Sequence, residues 1–141
     1  MESNFIEDQK ELIPNFLVGK KILMVEDNPL NQQLGYFLFK RWGQQVHLAE
    51  NGKIAIEMLE KEHFDLILMD IQMPVMDGND ATRYIREKMG EKSQIPIIGL
   101  TAQVTEGEEK RCLDQGMDDY LSKPFNASKL LVKIYQNLQK L

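Results

Sequence analysis

Asp70 closes the apolar run Leu66-Ile67-Leu68-Met69, and Met73-Pro74 and Asp77-Gly78 follow it. A four-residue run without alternation suits a parallel strand covered on both faces as well as a buried helix. The Pro, which lacks a backbone donor, and the Gly, which admits turn geometry, decide for a strand that stops near Asp70. A second run, Lys21-Ile22-Leu23-Met24-Val25, ends on Glu26-Asp27. Carboxyl ends of strands are where open α/β sheets bind ligands, so Glu26, Asp27 and Asp70 are candidate site residues. Two carboxylates about 4 Å apart repel by roughly 4 kcal/mol at an effective dielectric near 20, so a converging trio requires a counter-charge or a retained proton. Mg²⁺ suits such a pocket, because it accepts one or two carboxylates, keeps several waters and takes phosphate oxygens as further ligands. Lys123, after the short run Asp118 to Ser122, brings a positive charge to the same rim, and Thr101 brings a hydroxyl.

The elements that must position these groups alternate between strand-like and helix-like from Lys20 onward. Asn28-Pro29 supplies a cap and a first helical position, and Leu30, Leu34, Phe37, Leu38 and Trp42 recur at helical spacing before Gly43. Gln45 to Ala49 is more polar, as an edge strand is. Asn51-Gly52 turns into a helix with Ile54, Ala55, Met58 and Leu59 on one face, and Ala81, Tyr84, Ile85 and Met89 mark another up to Gly90. Ile95 to Thr101 is a fourth strand. Thr105 and Glu108 have capping-box spacing for a fourth helix, closed by Gly116 and poor in apolar anchors beyond Val104, Cys112 and Leu113. Asp118 to Ser122 is the last strand, and Leu130, Leu131, Ile134, Tyr135, Leu138 and Leu141 pattern the last helix. Five strand-helix pairs imply a doubly wound parallel sheet, whose common order 2-1-3-4-5 puts the switch point between the first and third strands. Those are the strands that end on the three acids.

Composition narrows the class. A chain of 141 residues with 43% hydrophobic and 28% charged residues is an ordinary globular domain. A net charge of -5 opposes non-specific nucleic-acid binding, which needs clustered Lys and Arg. One cysteine, Cys112, excludes an internal disulfide and fits a reducing compartment. No apolar run approaches eighteen residues and no signal peptide precedes the domain, so a cytoplasmic location with no membrane contact by this domain is expected. Residues 1–19 mix acids, scattered apolars and Pro14, and are assigned to a linker or docking segment; 20–141 form the domain.

Four stretches carry a resemblance: Met24 to Asn28, Leu68 to Gly78, Pro96 to Ala102 and Asp119 to Pro124. In order and placement they resemble the receiver domains of bacterial two-component response regulators, and their wording is most similar to receivers of hybrid sensor histidine kinases. The resemblance implies a flavodoxin-like fold in which Asp70 accepts a phosphoryl group from a phosphohistidine. It further implies Mg²⁺ held by Asp27, Asp70 and the backbone carbonyl of Gln72, with Glu26 on a metal water. Lys123 would pair with the phosphoryl group, and Thr101 with Tyr120 would form the conformational switch. The implied partner is a histidine kinase or histidine phosphotransfer protein, with room for a phosphorylation-dependent dimer. The implied role is signalling, with no catalysis beyond the domain's own phosphorylation and dephosphorylation.

This chain departs from the family pattern at few points. Glu26 stands where many receivers have Asp, Gln103 where hybrid-kinase receivers often have Asn, and Trp42 is an unusual aromatic best read as packing. The competing reading is a phosphohydrolase of the haloacid-dehalogenase type, which also uses an aspartyl nucleophile after a parallel strand. That class resembles Asp-x-Asp, whereas position 72 is Gln, and no cap insertion is present. No DNA-binding or catalytic domain follows the last helix, so a stand-alone regulator and a piece of a hybrid kinase both fit. His47, in the edge strand, and His63, at a helix end, are read as structural.

Overall fold

A computed structural model describes residues 14–102 and 105–139. The strands are β1 (Ile22–Val25), β2 (Val46–Ala49), β3 (Leu66–Asp70), β4 (Ile97–Thr101) and β5 (Asp119–Ser122). The helices are α1 (Pro29–Arg41), α2 (Gly52–Lys61), α3 (Gly78–Lys88), α4 (Glu106–Asp114) and α5 (Ala127–Leu138). All strand pairs are parallel, and the sheet order is β2-β1-β3-β4-β5, as the doubly wound reading expects. The polar strand Val46–Ala49 is an edge.

Continuous apolar runs are explained by two cores, one on each face. Leu23, Val25, Ile67 and Met69 pack with Ala55, Leu59, Ile85 and Cys112, while Ile22, Met24, Leu66 and Leu68 pack with Phe39, Leu130 and Ile134. Successive strand residues point to opposite faces, so every position of β1 and β3 is buried. Leu17, the last residue of a 3-10 turn at Asn15–Leu17, is also fully buried in the α1/α5 core, and the Phe16 ring meets Tyr135 edge-on at 5.0 Å.

Each helix begins on a side-chain cap: Asn28, Asn51, Asp77, Thr105 and Asn126 each accept a backbone N–H of the first turn. Such caps contribute about 1 kcal/mol apiece. Gly90 and Gly116 have positive φ, at 56° and 108°, where the chain leaves α3 and α4. On α4 only Cys112 is buried among the described residues, in keeping with its few apolar anchors.

The apolar stripe of α1 is placed differently from the reading of its spacing. Gly35, Leu38 and Phe39 face the core, and Trp42 packs edge-on to Phe39 at 5.2 Å. Leu30 is 73% and Phe37 59% exposed. The register is decided by Gly35, where an added Cβ would lie 2.4 Å from Met24 Sδ, so the helix approaches β1 over that glycine.

One side chain ties the far end of the fold together. Arg86 of α3 donates to the carbonyls of Gly116, Ser93 and Ile95 and to Asp118 Oδ2, which also accepts from Ile97 N. Arg86→Met is expected to lower unfolding free energy by about 2–4 kcal/mol, because the carbonyls and a carboxylate lose their donor together. Urea denaturation reads this. A loss below about half a kcal/mol means that water replaces the guanidinium at no cost.

Candidate functional site

The in-step pairing of β1 and β3 sets the site. Val25 pairs with Met69, so the next residues, Glu26 and Asp70, leave the sheet side by side. Carboxylate oxygens of Glu26, Asp27 and Asp70 all lie within 4.8 Å of one another. Glu26 is fully buried, Asp70 is 2% exposed and Asp27 faces solvent. The loop after β3 folds back so closely that a Cβ on Gly78 would sit 2.2 Å from the Asp70 carbonyl oxygen, and only glycine fits. In that loop Val75 has φ of 72°, an unusual conformation for a β-branched residue.

Lys123 closes the pocket from the end of β5. Its Nζ lies 3.0 Å from Asp70 Oδ1 and 3.1 and 3.3 Å from the two oxygens of Glu26. The backbone fixes its start, since Lys123 N donates to the Thr101 carbonyl at 2.8 Å. Asp70 Oδ1 also accepts from Gln72 N at 3.3 Å. Two donors beyond the predicted set come from α1: Asn31 Nδ2 donates to Glu26 Oε1 at 2.5 Å, and Gln32 Nε2 donates to the Glu26 carbonyl at 2.6 Å.

Burial, then the adjacent Glu26, push the Asp70 carboxyl up from 3.8 to about 6, and Lys123 offsets only part of this. On Lys123, burial opposes the ammonium, yet the facing Asp70 and Glu26 outweigh it and raise its pKa. The two shifts agree physically: the lysine gains from two carboxylates, whereas Asp70 has one cation and one like charge. With three carboxylates and one ammonium the pocket is two positive charges short, which fits a divalent cation with oxygen ligands.

Thr101 is 6% exposed at the end of β4, and Tyr120 pairs with Gly99 on that strand. Residues two apart share a face, so Thr101 and Tyr120 lie on the same side of the sheet. The Glu109 carboxylate of α4 acts on the Tyr120 hydroxyl and raises its pKa, and Lys133 Nζ of α5 lies 5.7 Å from the ring centroid. Lys133 is held by Asp119 at 2.8 Å. Gln103 lies outside the described residues.

Residues 22–135 match the response regulator receiver domain model. The chain belongs to that family. Hybrid signal transduction histidine kinase G of Dictyostelium discoideum is 45% identical over 112 residues, 78% of this chain and 3% of the kinase. The receiver domain of sensor histidine kinase PA1611 from Pseudomonas aeruginosa, crystallised with magnesium coordinated in its active site cleft, is 40% identical, with a TM-score of 0.78 over 86% of this chain and 98% of that one. The receiver domain of Ssk1 from Saccharomyces cerevisiae, solved with the histidine phosphotransfer protein Ypd1, is 31% identical, with a TM-score of 0.78 over 84% and 88%. The receiver chain spans 3% to 15% of the length of such curated kinases. No helix among its described residues is long and apolar enough to cross a membrane.

The site residues sequence reasoning missed are Asn31, Gln32, Glu109 and Lys133. The first two follow Glu26 by five and six residues across a helix start, a spacing with no periodic signature. The other two reach Tyr120 from separate helices.

Proposed function

We propose that Asp70 takes a phosphoryl group from the phosphohistidine of a histidine kinase or histidine phosphotransfer protein, and that the resulting change at Thr101 and Tyr120 carries the signal. The observation that supports this most is the buried Asp70 carboxylate held between Glu26 and Lys123 at the end of β3. A carboxylate already ionised at neutral pH needs no general base; its oxygen forms the bond to phosphorus as the P–N bond to the imidazole breaks. Lys123 turns from the acids toward the incoming phosphoryl oxygens. Asp27, Asp70 and the Gln72 carbonyl would hold Mg²⁺, with Glu26 on a metal water, and the bound ion would supply charge neutralisation on the transferring group. The domain acts on its own phosphorylation state alone and works in the cytoplasm.

The partner's approach is supported by α1. Leu30, Tyr36 and Phe37 are exposed on the helix that starts beside the acids, and Gln32, Gln33, Tyr36, Phe37 and Leu48 line a groove of about 350 Å³. An apolar patch beside a charged pocket suits a helical partner that presents its histidine over Asp70. On the opposite flank, Glu109 and Lys133 bracket Tyr120 from α4 and α5, so inward motion of the ring releases both helices.

A small acyl phosphate donor with Mg²⁺ is expected to add one phosphoryl group, and beryllofluoride to alter amide exchange across residues 105–122. Thr101→Ala is expected to accept the phosphoryl group, seen by mass spectrometry, while losing most of the exchange response around Tyr120. A full response in that variant removes Thr101 from the switch. Absence of any Mg²⁺-dependent mass gain in the unaltered protein removes the phosphoacceptor reading.

A further inference from the structure

The buried carboxylate of Glu26 faces two side-chain donors, and they have different futures. Lys123 Nζ reaches both of its oxygens but is shared with Asp70. Asn31 Nδ2 reaches Oε1 at 2.5 Å and has no other acceptor among the described residues. When Lys123 turns to a phosphoryl group, Glu26 stays fully buried and loses its cation, and a buried carboxylate without donors is costly. Asn31 is the donor that remains.

Asn31 is also rigidly placed. Asn28 Oδ1 accepts from both Leu30 N and Asn31 N, which closes the first turn of α1 on its cap. Gln32 Nε2 donates to the Glu26 carbonyl at 2.6 Å, so the backbone of the acid is tied to the same turn. The helix start therefore fixes Glu26 at two points, its carboxylate through Asn31 and its main chain through Gln32.

We propose that Asn31 is a positioning residue of the cation site: its amide holds the Glu26 carboxylate in the orientation that serves the ion, independently of Lys123. This rests on reading Glu26, Asp27 and Asp70 as that site. Groups that orient ligands from behind typically change metal affinity by about 10- to 100-fold when removed. Gln32, which touches only the Glu26 carbonyl, has no such hold on the carboxylate.

The test is Mg²⁺ affinity by calorimetry on the phosphate-free protein, for wild type, Asn31→Ala, Asn31→Leu and Gln32→Ala, with thermal melts in parallel. Both Asn31 variants are expected to bind Mg²⁺ about tenfold or more weakly, and Gln32→Ala, which loosens only the main-chain tie, to lose clearly less. Leu keeps the branched shape of Asn without its amide and Ala removes the side chain, so the pair separates loss of the hydrogen bond from loss of packing. Equal Mg²⁺ affinity in a folded Asn31 variant overturns the proposal, as does an equal loss in Gln32→Ala, which points to a general loosening of α1. Failure of the wild type itself to bind Mg²⁺ overturns the site reading beneath it.

Discussion

Asp70→Asn is expected to abolish phosphoryl uptake and, without divalent cation, to make the fold more stable. Burial and Glu26 hold the Asp70 carboxyl at about 6 against an ordinary value of 3.8, so the folded chain keeps a proton that the unfolded chain gives up. Between those two pH values the folded state binds more protons, and stability therefore falls as pH rises. Above about pH 6 the full cost is present, about 1–3 kcal/mol given the compensation by Lys123. Asn fills the same space without the charge, so the variant should gain most of this at pH 8 and nothing at pH 3. Thermal melts in a chelator across that range measure it. A variant less stable than wild type at pH 8 shows that the ion pair with Lys123, not the crowding of acids, dominates Asp70.

Lys123→Met is expected to act in the opposite sense. The substitution keeps most of the aliphatic length but removes the only described cation within contact of Glu26 and Asp70. Breaking a buried ion pair from one side typically costs about 3–5 kcal/mol, and here one ammonium serves two buried carboxylates. The loss should be largest above neutral pH and smaller near pH 4, where a proton replaces the ammonium. Mg²⁺ should then repair more in the variant than in wild type, because the ion no longer competes with a resident charge and stabilises by its binding to the folded state. The comparison is the Mg²⁺-induced rise in melting temperature in each protein. An equal or smaller rise in Lys123→Met would mean that the ion does not sit among these acids.

Much of this was legible because the relevant signals are local. Apolar runs that end on acids, Asn28-Pro29, Met73-Pro74 and Thr105 with Glu108 each report the conformation of their own few residues, and alternation of strands and helices then constrains the sheet order. What stayed hidden depends on partners distant in sequence. On α1, Leu30, Leu34 and Phe37 and the stripe of Gly35, Leu38, Phe39 and Trp42 both have helical spacing; the choice falls to the contact of Gly35 with Met24, which no period encodes. Arg86 binds carbonyls 7, 9 and 30 residues away, where acceptors are backbone and carry no residue signature. In the site, acid types at strand ends were readable, but the inequality among them was not. Glu26 is fully buried, with Asn31 and Lys123 on its carboxylate, and Asp27 exposed, although their carboxylates converge; such contacts come from elements distant in sequence.

The level ends of β1 and β3 also govern how such a chain drifts over generations. The two strands bring Glu26 and Asp70 abreast, and a slip of one residue would move every buried side chain of the strand into the core on the opposite face, so the sheet cannot relax the crowding by moving. It can relax only by substitution. An amide in place of either acid preserves volume and relieves repulsion, so mutation unconstrained by phosphoryl chemistry erodes the acids before it erodes the core. The crowding of Glu26, Asp27 and Asp70 around Lys123 is thus built into the register of the sheet, and only a change of residue type removes it.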